Sequence, residues 1–226
     1  MAQPEKIVVE NFVQEIVSRV SDMHSRNTAN LRSLRREFSK RLIKAEPRLI
    51  ITLALKLLEE RAMEYRFIAY ELICSHRPAL QSLRANDLKR LGRGIDNWGA
   101  VDSFACYLAG PAWREKQIPD SLIHGWARSK DRWWRRAGLV STVPLNNKAR
   151  GGRGDAARTL RVCRMVIKDR DDMVVKALSW ALRELAKRDA KPVQEFLEKY
   201  ESRLASRVVR EVRNKLKAGL KNPRRK

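Results

Sequence analysis

Apolar residues recur along this chain at three- and four-residue spacing almost from end to end, the period of amphipathic helices. Ile7–Val20 carries Ile7, Val8, Phe12, Val13, Ile16, Val17 and Val20 on that spacing. Ala45–Ala62 opens on Glu46-Pro47, a good first-turn pair, and continues through Leu49, Ile50, Leu53, Leu57 and Leu58. The same reading predicts helices over Met63–Cys74, Leu80–Leu91, Trp98–Leu108, Pro119–Arg128, Asp131–Val143, Ala156–Ile167, Met173–Lys187, Lys191–Lys199 and Ser206–Leu216. Strand signals are absent: there is no sustained alternation and no Asn-Gly hairpin between β-branched runs.

From about Ala45 onward the helices come as short pairs, one pair per roughly 35–45 residues, which is the HEAT-type period. The expected fold is therefore all-α, an α-α superhelix of HEAT-like repeats forming a single domain over 1–226. Stacked pairs of this kind present a concave face suited to long polymeric partners. Two stretches depart from the pattern. Pro144–Asp155 holds Gly151, Gly152 and Gly154 among Lys148, Arg150 and Arg153. It lacks the GK[ST] of a phosphate-binding P-loop and reads as a mobile connection between repeats, with backbone phosphate contact as the lesser alternative. From Arg203 to Lys226 there are ten Lys or Arg and one acid, Glu211; this stretch is expected to begin as a helix and end, over 218–226, as a disordered basic tail.

Charge narrows the function. The 226 residues include 49 Lys plus Arg against 26 Asp plus Glu, a formal net charge of +23. A compact chain so charged repels itself, and the excess usually answers an anionic partner. A membrane partner would call for a long apolar run or a basic amphipathic helix beside a lipidation signal, and neither occurs. The cations are spread over many segments instead, as on a surface that follows a phosphate backbone, so nucleic acid is the expected partner. Six to ten phosphate contacts would weaken affinity on the order of 10³–10⁵-fold between 50 and 200 mM salt.

Cys74, Cys106 and Cys163 are widely separated in apolar helical settings and read as buried thiols. There is no CxxC, and His24, His76 and His124 have no ligand spacing, so neither a metal site nor another cofactor is expected. No signal peptide precedes the first helix, and with the cysteine usage this points to a reducing, cytoplasmic compartment. A monomer is the default expectation.

Candidate chemistry centres on four residues. Trp98 and Asp102, in DNWGAVDSFA, stand four apart and share a helix face. Arg136 lies in DRWWRRAGLV and Trp180 in KALSWALRELAK. Taken singly, these residues leave both readings open: the tryptophans also suit a core, Asp102 a surface or capping acid, Arg136 a solvated cation.

Jointly and in this order, the segments resemble the DNA alkylation repair glycosylases of the AlkD type. In that family a W-x-x-x-D segment precedes an Arg-bearing helix and then a K-A-x-x-W-x-L-R-E helix. Here these are Trp98–Asp102, Arg136 within WWRRAG, and Lys176–Glu184. Trp126 and Trp133 fall where the family has tryptophans on intervening helices, and Ser206–Lys217 resembles its closing basic helix. The resemblance runs from about Arg32 to Lys217. It does not extend to the N-terminal aromatic residue that faces the lesion in the family, because Val20–Leu31 holds no Tyr, Phe or Trp.

The resemblance implies a monofunctional glycosylase that hydrolyses the N-glycosidic bond of cationic N3- or N7-alkylated purines in duplex DNA, with Asp102, Trp98, Trp180 and Arg136 as its catalytic set. Arg135, Lys176, Arg183, Arg207, Arg210 and Arg213 are the expected DNA-binding cations. Asp102 would stabilise a developing sugar cation and orient water, while Arg136 would lower its pKa and bind a phosphate. Two other readings remain: a non-catalytic HEAT-repeat nucleic-acid binder, which fits fold and charge equally well, and a protein scaffold, which would need a strongly acidic partner.

Overall fold

The computed structural model describes residues 3–223, and among them every regular element is a helix. They fall into two compact units that divide between Gly94 and Ile95.

The first unit holds α1 (Gln3–Ser21), α2 (Thr28–Arg41), α3 (Pro47–Leu57), α4 (Met63–Ser75), α5 (Arg77–Ser82) and α6 (Ala85–Leu91). Here α1 packs on α3 and α2 on α4, while α3 and α4 pack on each other. Pro47 sits in the first turn of α3, where its missing N–H has no helical partner to lose. The helix α2 has no counterpart among the expected elements. Its sequence is mostly polar, and its buried face is a single line of Leu31, Leu34 and Phe38. The Asn27 side chain starts it by accepting from the Asn30 N–H. The stretch expected as one helix over Leu80–Leu91 is two, because the chain turns at Leu83 and Asp87 accepts from the Arg84 N–H to begin α6 afresh. Within this unit Glu71 is buried and takes both Arg32, at 2.9 Å, and Arg35, at 3.1 Å.

The second unit begins with α7 (Trp98–Phe104), which continues through a π-turn at Ala105–Ala109 into α8 (Gly110–Arg114). Then follow α9 (Asp120–Ala127), α10 (Arg132–Val140), α11 (Val143–Asn146), α12 (Ala156–Met165), α13 (Asp172–Ala186), α14 (Ala190–Tyr200) and α15 (Ser206–Ala218). These helices stack in two rows. One row is α7, α10, α13 and α15, each packed on the next; the other is α9, α12 and α14. Cross-packing of α9 on α10, α12 on α13 and α14 on α15 completes the helical pairs expected from the period.

The two rows approach closely where α10 meets the end of α9. A Cβ on Gly138 would stand 3.0 Å from the Ala127 backbone nitrogen, tighter than side chains ordinarily approach, so glycine lets α10 lie this near the end of α9 without a shift. The π-turn has a cause as well. Pro111 has no N–H to give, and its ring would meet the carbonyl four residues back in a regular helix; a widened turn relieves this. Of the tail expected over 218–226, residues 224–226 lie outside the described residues. Lys221 is tied back to α15: its carbonyl accepts from Asn214 and its Nζ stands 3.4 Å from Glu211.

Candidate active site

The site assembles on the row formed by α7, α10 and α13. Asn97 starts α7, its side-chain oxygen accepting from the Ala100 N–H at 3.0 Å. That places Trp98 at the first helical position with 62% of its surface exposed, and Asp102 one turn later on the same face. Ala100, Val101 and Phe104 point the other way and are buried. Phe104 meets Trp126 of α9 and Trp134 of α10 in one aromatic cluster, with ring centroids 5.0–6.0 Å apart. This cluster fixes α7 against α9 and α10 behind the site. Trp133, which the sequence brought forward, is half-buried like its neighbour Trp134 and has the Arg132 guanidinium 4.8 Å from its ring centre.

Asp102 and Arg136 are joined by two hydrogen bonds. Nε and one Nη of Arg136 donate to the two carboxylate oxygens, each at 2.8 Å. The other Nη donates to the Met173 carbonyl in the first turn of α13 at 2.6 Å. One buried guanidinium therefore joins all three helices. Its planar fork suits a carboxylate in a way that a lysine ammonium does not.

One expectation for Arg136 changes here. It does not set the direction of the Asp102 pKa. Burial pushes that carboxyl above its ordinary value, and the hydrogen bonds and charge of Arg136 pull against the shift without reversing it. Each nitrogen of Arg136 also makes one internal bond, so the side chain positions Asp102 and spans α7 to α13, with one N–H on each Nη left over for the expected phosphate contact. The carboxylate itself stays within reach of solvent, its side chain 19% exposed.

Trp180 is half-buried on α13. Met173, Lys176 and Trp180 lie at i, i+3 and i+7, hence on one face of that helix, which Arg136 meets at its start. Lys176 on this face bonds Asp172 at 2.6 Å, and Arg207 from α15 bonds the other oxygen of the same carboxylate at 2.6 Å. These two partners hold the Asp172 carboxyl low, the Lys176 hydrogen bond most of all.

The remaining expected DNA-binding cations divide by environment. Arg135 is drawn inward, to Asp169 at 2.6 Å and to the carbonyls of Ser129 and Lys130, where it closes the turn between α9 and α10. Arg183 donates to Ser179 and lies 3.9 Å from buried Glu211, and burial pushes its pKa down. Arg213 is exposed and paired with Glu201. Arg210 is exposed and has no ion pair among the described residues.

The Met173 carbonyl that holds Arg136 was not foreseen from the sequence, because a backbone acceptor leaves no residue signature. Asn97 was also not foreseen, though an Asn just before an apolar-periodic run is the signal that would have found this N-cap. Cys106 and Cys163 are buried and Cys74 half-buried, and none of the three is in a disulfide. Burial pushes the Cys106 thiol up to about 12.

Residues 10–216 match the model of a family described as DNA alkylation repair enzyme. The chain belongs to that family. No match was found among the curated proteins or among the solved structures. Membership makes the chain one of a family of repair enzymes acting on DNA. No helix among the described residues is long and apolar enough to cross a membrane.

Proposed function

We propose that this family member is a monofunctional DNA glycosylase, which releases cationic N3- or N7-alkylated purines from duplex DNA by hydrolysis. The observation that carries the proposal is the Asp102 carboxylate, held at both oxygens by buried Arg136, one turn from a largely exposed Trp98.

Alkylation at N3 or N7 leaves the purine positively charged. As the C1′–N bond breaks, its electron pair passes to the base, which departs neutral, and positive charge builds on the deoxyribose. Asp102 faces that sugar as a fixed negative group and orients the attacking water. The water oxygen bonds to C1′ and its proton leaves to Asp102 and then to solvent. The products are a free alkylpurine and an abasic site. Arg136 keeps the carboxylate in one orientation, so little reorganisation is needed as charge develops. Trp98 and Trp180 flank the sugar and backbone with their ring faces, each contact worth roughly 0.5–2 kcal/mol toward the cation. The scheme uses no lysine nucleophile, so the strand is left uncut.

The test is release of free 7-methylguanine from an alkylated duplex, with wild type beside Asp102→Asn. Release by wild type and its loss in the variant, with duplex binding retained, supports the reading. Tight, salt-sensitive binding by a wild type that releases no base would favour the non-catalytic binder.

A further inference from the structure

The glycine-rich segment between α11 and α12, expected to be slack, is built and tethered. Asn147 caps the short turn Lys148–Arg150, accepting from the Arg150 N–H. Gly151 has φ +78°, and a Cβ on Gly152 would stand 2.6 Å from the Pro144 carbonyl oxygen, so glycine is needed at both positions. Two arginines are spent as pegs on the loop backbone. Arg188 donates to the carbonyls of Asn146, at 2.8 Å, and Gly152, at 2.6 Å, and Arg114 donates to the Arg150 carbonyl.

Against this fixed backbone, Lys148, Arg150 and Arg153 project outward and are exposed. Lys148 and Arg153 have no ion pair among the described residues. The acids around the loop each have a partner other than Lys148 or Arg153: Glu115 bonds Arg114 and only feels the charge of Arg153, Asp155 pairs with Arg158, and Glu184 with Lys187 and Asn147. Three cations held within six residues on a rigid support repel one another, Glu115 offsets only part of this at Arg153, and an anion bound across Lys148 and Arg153 would relieve it. The loop also adjoins the helix that carries Asp102. The Arg150 guanidinium lies 5.0 Å from the ring centre of Tyr107, five residues beyond that carboxylate.

We infer that the loop 147–154 is a preformed phosphodiester-binding element, in which Lys148 and Arg153 each contact the backbone of the duplex beside the lesion. The inference rests on the proposed function only in taking DNA as the ligand. Contacts of this kind hold and register the duplex without reading its sequence.

The experiment measures binding of an undamaged duplex by fluorescence anisotropy between 50 and 200 mM salt. It compares wild type, Lys148→Ala/Arg153→Ala, and a charge-matched control, Lys168→Ala/Lys191→Ala, at two exposed lysines elsewhere in the second unit. Loss of two phosphate contacts should flatten the slope of log K against log salt by about two, and weaken binding to alkylated and undamaged duplex alike. The control should keep the wild-type slope. An unchanged slope in the loop variant, with its circular dichroism and Tm intact, would overturn the inference, as would an equal change in the control. Failure of wild type to bind duplex at 50 mM salt would overturn both this inference and the glycosylase reading. Failure to release base, beside a slope that depends on the loop, would remove the glycosylase reading and leave the loop assignment standing.

Discussion

Arg136 grips both oxygens of Asp102 from a helix 34 residues further along the chain and uses its remaining Nη to hold the Met173 carbonyl of a third helix. The pair is thus both the heart of the candidate site and a fastening of the fold that carries it. Separating those two roles requires variants on each side. Arg136→Ala leaves a mostly buried carboxylate without its partner, and removing one member of such a pair costs on the order of 3–5 kcal/mol. Chemical denaturation should show that loss together with loss of base release. Arg136→Lys should recover part of the stability and little of the activity, because one ammonium cannot serve both oxygens and the Met173 carbonyl at once. Full activity in Arg136→Lys would show that the two-point grip is not needed.

Asp102→Asn keeps the shape and removes the charge. A fixed group acting on developing transition-state charge is worth about 10²–10³-fold in rate, so single-turnover base release should fall by at least that much. Duplex affinity should stay close to wild type, because the lost group is an acid. A rate within tenfold of wild type would move the catalytic carboxylate elsewhere.

The raised pKa of Asp102 has consequences of opposite sign for rate and for stability. Burial is the larger cause and Arg136 the opposing one. The carboxylate is the working form, so enzyme-catalysed release should fall as pH drops through the raised value, placing the acid limb above that of an ordinary exposed aspartate. Arg136→Gln removes the opposing pull, and the limb should move further up. For stability, the native state binds the proton more tightly than the unfolded chain between the unfolded and the raised folded values. The contribution of this group is therefore complete below the unfolded value and is lost as pH rises through that window. Rate profiles and urea melts across mildly acid pH check both signs; an acid limb at the ordinary aspartate position would sink the account.

How far the sequence could be read depended on how each feature is encoded. Long amphipathic stretches such as α1, α3 and α13 announce themselves by period. The helix α2 does not, since a line of only three buried residues among arginines and serines is a weak periodic signal. The pairing of Asp102 with Arg136 is invisible to local patterning, and what suggested their association was the order of motifs shared with a family. Their bond geometry and the Met173 carbonyl depend on how α7, α10 and α13 stack. The direction of the Asp102 pKa was misread for a related reason: the charge of a neighbouring arginine can be inferred from a motif, whereas burial belongs to the assembled fold. The loop 147–154 was misread because glycine and arginine suggest slack, and the pegs from Arg114 and Arg188 come from distant segments.

Gly138 tests whether helix spacing matters to the site. Its nearest contacts for an added methyl are backbone and side-chain atoms of Ala127, at 3.0–3.2 Å, with no flexible side chain to yield. Gly138→Ala should push α10 from α9 and destabilise by about 1–3 kcal/mol, as overpacking does. Arg136 lies two residues earlier on α10, so base release should fall more than the folded fraction accounts for. An equal or higher Tm in Gly138→Ala would show that the interface relaxes freely.

Trp98 offers the sharpest division between a core residue and a working one. An indole with 62% of its surface exposed buries little on folding, so Trp98→Ala should change stability by no more than about 0.5 kcal/mol. If its ring faces a cationic lesion and the sugar that acquires charge, losing about 0.5–2 kcal/mol of that contact should slow single-turnover release by roughly 2–30-fold. Tm and rate are measured on the same preparation. A marked fall in Tm with a proportionate fall in rate would make Trp98 a packing residue. An unchanged Tm with a slower rate would leave recognition of the substrate as the reason a tryptophan stands exposed at the start of the helix that carries Asp102.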